Sequence, residues 1–112
     1  MRDPRILESV KATLALLVAA NPGRAIEVRI PPYAAVQCGD GPTHSRGTPP
    51  NVIEMDADTW LALANGDTNW AAAMQTGKIN ASGARADLSE YLPLRTSDSQ
   101  STNAQAPNRI TP

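Results

Sequence analysis

Ile6, Leu7, Val10, Leu14, Leu17 and Val18 recur at three- and four-residue intervals, the spacing that lays apolar side chains along one face of an α-helix. Asp3-Pro4 supplies its start, an acceptor side chain at the cap followed by a proline at the first helical position. Asn21-Pro22-Gly23 supplies its end, because proline cannot continue a helix and glycine accepts a positive φ. The period then changes to two. Ile26, Val28 and Ile30 alternate with Glu27 and Arg29 across residues 25–30, which predicts a strand with one buried face. Pro31-Pro32 interrupts it, and residues 33–38 predict a second strand, antiparallel to the first.

Residues 39–50 hold Gly39, Gly41, Pro42, Gly47, Pro49 and Pro50, a density of breakers that fits a long loop or a short irregular strand. Residues 51–55 predict another short strand. Asp56 or Asp58 then caps a helix carrying Trp60, Leu61, Leu63 and Ala64, closed by Asn65-Gly66. Thr68 is positioned to cap a second short helix with Trp70, Ala73 and Met74 on one stripe and Gly77 as its stop. Residues 78–82 predict a further strand, and Leu88, Tyr91 and Leu92 a last helical turn before Pro93. Strands grouped ahead of helices argue for an α+β fold: a mainly antiparallel sheet of four to five strands, covered by helices on one face.

Composition divides the chain. Residues 95–112 contain Ile110 as their one large aliphatic residue, among Ser, Thr, Asn, Gln and Pro. Such a segment buries too little apolar area to offset its ordering entropy, so the folding unit is expected over residues 1–94, with 95–112 a disordered polar tail. Ten Lys plus Arg against eleven Asp plus Glu give a formal net charge of −1. That balance removes the electrostatic footprint of a nucleic-acid binder. No stretch approaches the roughly 18–20 apolar residues of a membrane-spanning helix. The one cysteine rules out a disulfide framework and a cysteine-only zinc site. A small domain of a reducing compartment, the cytoplasm, is the expectation.

Candidate chemistry is sparse. The chain has no Gly-x-Ser-x-Gly elbow, no phosphate-cradling glycine loop and no His-Glu-x-x-His pair. With His44 as the one histidine, no ligand set has a convincing spacing, and no metal or cofactor is expected. Cys38 activated by His44 is a conceivable nucleophile, but a cysteine inside a strand is ordinarily a small buried hydrophobe. Asp56 and Asp58 need no role beyond capping. In the segment Thr43-His44-Ser45-Arg46-Gly47-Thr48 an imidazole and a guanidinium sit among hydroxyls and a glycine, a composition that suits a carboxylate or phosphate head group. A solvated loop that satisfies its own backbone has the same composition.

The run Val52-Ile53-Glu54-Met55-Asp56-Ala57-Asp58-Thr59-Trp60-Leu61-Ala62-Leu63-Ala64-Asn65-Gly66 resembles the C-terminal half of sterol carrier protein type-two domains. There a strand runs into an acidic cap, an aromatic residue, a Leu-x-Leu pair and a closing glycine. Thr68-Asn69-Trp70-Ala71-Ala72-Ala73-Met74-Gln75-Thr76-Gly77-Lys78-Ile79 is similar to the next helix and strand entry of that family. Ala81-Ser82-Gly83 is similar to the end of that strand. The loop from Gly41-Pro42-Thr43-His44 to Asn51 is similar to one in the small bacterial sterol carrier family proteins. The resemblance implies a helix-covered, five-stranded sheet with an apolar tunnel for lipids or fatty acyl chains.

Two readings of function follow. In the first, a non-enzymatic carrier binds a lipid or acyl chain between sheet and helices. Its ligand contacts are Trp60, Leu63, Trp70, Met74 and Ile79, with His44 and Arg46 at the mouth. In the second, an interaction or auxiliary module keeps the carrier fold with a filled core. Aromatic and Met stripes at helical spacing serve plain cores as well as cavities. Cavity volume separates the two, since ligand pockets begin near 300 Å³.

Overall fold

The computed structural model describes residues 3–41 and 51–94. The first helix, α1 (Pro4–Ala20), is capped by Asp3, whose side chain accepts the Arg5 N–H at 2.9 Å. Its apolar stripe buries Val10, Leu14 and Leu17. At its far end Asn21 returns its backbone N–H to the Leu17 carbonyl. Gly23, in a left-handed conformation, lies so close to the Gly39 carbonyl that a Cβ would collide with it. That contact seals the entry to the sheet.

The strands are β1 (Ile26–Ile30), β2 (Ala34–Cys38), β3 (Val52–Met55) and β4 (Ile79–Ser82), ordered β2-β1-β3-β4 in a single sheet. β1 pairs antiparallel with β2 and β3 with β4, but β1 and β3 are parallel, Val28 opposite Ile53. The sheet is therefore mixed, though mostly antiparallel. Alternation alone fixes the buried face of a strand and not its direction. The direction follows from connectivity: β2 ends beside the start of β1, and β3 begins there too, at Val52 opposite Glu27. Asn51, 4% exposed, holds this corner, its side chain donating to the Ala25 carbonyl and accepting the Arg85 N–H, both at 2.8 Å.

Ile26, Val28, Ile30, Cys38, Ile53, Met55 and Ile79 supply the inner face of the sheet. The outer face carries Glu27, Arg29, Gln37, Glu54 and Asn80, with Arg29 ion-paired to Glu27. Helix α1 packs on β2 and on α2 (Ala57–Asn65), and α3 (Trp70–Gln75) adjoins β4. Both short helices are capped from their own sequence: the Asp56 side chain accepts the Thr59 N–H, and that of Asn69 the Ala72 N–H, each at 2.8 Å. Asn69 therefore takes the cap expected of Thr68; its carboxamide is at N-cap while Thr68 sits one residue too early to reach the first free N–H groups. A 3-10 turn, Ser89–Tyr91, follows β4. The described strands number four, against the five that the resemblance implies. Within the described residues the expected boundaries of the strands hold to about one residue, the ordinary uncertainty of element ends.

Candidate functional site

The turn between α2 and α3 builds a cleft. Gly66 ends α2 at φ 83°, its N–H reaching Leu63 and Ala62 carbonyls, and Asp67 donates to Ala62 at 2.8 Å. The chain thus reverses within a few residues and brings Leu63, at the end of α2, beside Trp70, at the start of α3. A third wall comes from the last described segment. Leu88 anchors it in the core, and the Leu94 N–H donates to the Ala64 carbonyl at 3.0 Å. Pro93 then lies against Gly66, and Leu92-Pro93 crosses the end of α2. Leu63, Thr68, Asn69, Trp70, Ala71, Ser89, Leu92 and Pro93 enclose a cleft of about 270 Å³.

The residues expected at a ligand site are distributed unevenly. Leu63 and Trp70 meet at this cleft, where Trp70 is half-buried. Trp60 is fully buried, and its indole N–H donates to Thr13 Oγ1 at 2.8 Å. Its ring therefore occupies the layer between α1 and α2. Ile79 is in the core opposite Met55, whereas Met74 is 43% exposed on the outer side of α3. His44 and Arg46 lie outside the described residues. Thr68, Ser89, Leu92 and Pro93 line the cleft without having been named as ligand contacts from sequence. The signal for the last two was modest: an apolar pair just ahead of the polar tail.

Cys38 is buried on the inner face of the sheet, and desolvation pushes its thiol up to about 11. A thiol held protonated in this way is a poor nucleophile at neutral pH. Among the described residues no three His, Cys, Asp or Glu side chains converge as metal ligands. A second cleft, of about 230 Å³, is polar: Arg85 Nη2 donates to the Asp40 carbonyl at 3.0 Å beside Asp87 and Glu90. No helix among the described residues is long and apolar enough to cross a membrane.

No curated protein matches this chain. A family model, described as a bacterial SCP ortholog, matches residues 3–94. The match takes in α1, the whole sheet, both short helices and the segment that walls the cleft. The chain belongs to this bacterial family of sterol carrier protein (SCP) orthologs.

Proposed function

We propose that the protein is a non-enzymatic carrier domain that binds a single acyl chain in the cleft walled by Leu63, Trp70, Leu92 and Pro93. The observation that carries the proposal is Trp70: a large aromatic ring only partly buried at the wall of an apolar cleft, in a family named for lipid carriage. Burying the remaining surface of such a ring against an alkyl chain is favourable at about 25 cal/mol per Å². The cleft volume, about 270 Å³, lies just under the lower bound of ordinary ligand pockets, about 300 Å³. A slender chain suits it better than a fused-ring lipid.

A second reading, an auxiliary module with a filled core, is favoured by one feature. Trp60 is fully buried and fills the layer between α1 and α2, and the one polar group of its side chain is already satisfied. Native mass spectrometry of protein purified from its own host separates the readings. The carrier reading expects a co-purifying single-chain lipid at one per protein, lost in Trp70→Ala. A lipid-free protein that also fails to take up an added dodecyl chain supports the module instead.

A further inference from the structure

Two clefts share one wall. The acyl cleft, of about 270 Å³, and a groove of about 290 Å³ are both lined by Leu92 and Pro93. The other walls of the groove are Leu16, Ala20 and Asn21, from the end of α1, with Glu90, Tyr91 and Leu94. Leu92 follows the 3-10 turn in extended backbone and is half-buried against the core. Its position is fixed from both sides: Leu88 is fully buried, and the Leu94 N–H is held by the Ala64 carbonyl. Leu63, 1% exposed, closes the acyl cleft towards the core.

We infer that Leu92 is the residue that determines chain-length specificity, stopping a bound chain at the end of the cleft and making medium-chain acyl groups its ligands. The inference rests on the acyl-binding reading above. A methylene fills roughly 30 Å³, about a water's share of the liquid, so the cleft takes about nine. Each methylene buried strengthens binding by up to about fourfold. One that projects past the walls stays in water and adds nothing. The groove beyond has room for a similar length again, apolar at Leu16, Ala20 and Leu94, and the Leu92 side chain stands between the two.

Calorimetric titration of the full chain with saturated fatty acids from hexanoate to palmitate, each below its micelle concentration, reads the limit directly. Affinity is expected to climb as far as decanoate and then to stay level, within about twofold, up to palmitate. Leu92→Ala should carry the climb onward and raise the preference for palmitate over octanoate about tenfold. Leu92→Val trims the wall more gently and should move the limit the same way. Adding Ala20→Trp to Leu92→Ala fills the groove, since Ala20 lines it and is exposed, and should restore the wild-type limit. A wild-type affinity that climbs without a break to palmitate, or an unmoved limit in the folded Leu92 variants, overturns the role of Leu92 and leaves the acyl-binding reading intact. Failure of every acid to bind the wild-type chain overturns both.

Discussion

Two tryptophans sit on adjacent short helices in similar sequence surroundings, and their environments differ sharply. Trp60 follows a capping aspartate by one turn and points into the layer between α1 and α2, where its N–H finds Thr13 across a long sequence separation. Trp70 opens α3 immediately after its cap and faces the segment Leu92-Pro93 instead. One ring completes a core; the other leaves a surface unfinished. The difference teaches that helical phase relative to the cap, rather than residue type, decides which aromatic residue is available to a ligand.

Truncating each ring is the strongest way to break this contrast. Trp60→Ala is expected to cost about 3–5 kcal/mol by denaturant unfolding, as for large-to-small changes in packed cores. Trp70→Ala should cost well under half as much while abolishing acyl binding. Equal losses for the two variants would erase the distinction. Thr13→Val removes the acceptor from a fully buried indole N–H and is expected to cost about 1–3 kcal/mol, measured against Trp60→Phe in a double-mutant cycle. Additive effects would mean that the Thr13 contact does not hold Trp60 in place.

The fold was legible in its periods and stops, and less so in its directions. The alternation of Ile26, Val28 and Ile30 and the Asp3-Pro4 start carry physical constraints that act locally, so they read directly from sequence. The parallel pairing of β1 with β3 depends on where residues 39–51 deliver the chain, a tertiary matter that no local pattern encodes. At the site, Leu63 and Trp70 were legible as apolar helical positions, but Thr68 and Ser89 are brought together by a turn and a docked segment far apart in sequence. Met74 shares the helical stripe by spacing, yet α3 is short and its outer side has nothing above it among the described residues. The anion spot expected at His44 and Arg46 lies outside the described residues.

Smaller effects sharpen the picture of the supports around the two rings. The Thr59 hydrogen bonds hold the Asp56 carboxyl below its ordinary value of 3.8. A depressed value in the folded state means that the cap contributes fully above about pH 4 and is lost as pH falls through the lower folded value. Asp56→Ala should therefore cost about 1 kcal/mol at pH 7, and the gap to wild type should close on acidification below pH 4. A gap that persists at pH 2 would show that the carboxylate is not the source. Truncation after Leu94 should leave thermal unfolding within about 0.5 kcal/mol of the full chain. A larger loss would show that residues 95–112 stabilise the domain and add to the wall made by Leu92-Pro93.

The central claim, that an acyl chain meets Trp70 and not Trp60, is tested most directly by fluorescence quenching with a bromine-bearing dodecanoyl glycerol. In the wild type both rings emit, and the ligand should quench part of the emission at saturation. In Trp70→Phe the remaining emission comes from Trp60 alone, and it should be unaffected by the same ligand. Quenching of Trp60 in Trp70→Phe as strong as in the wild type would place the chain in the interior and contradict the account.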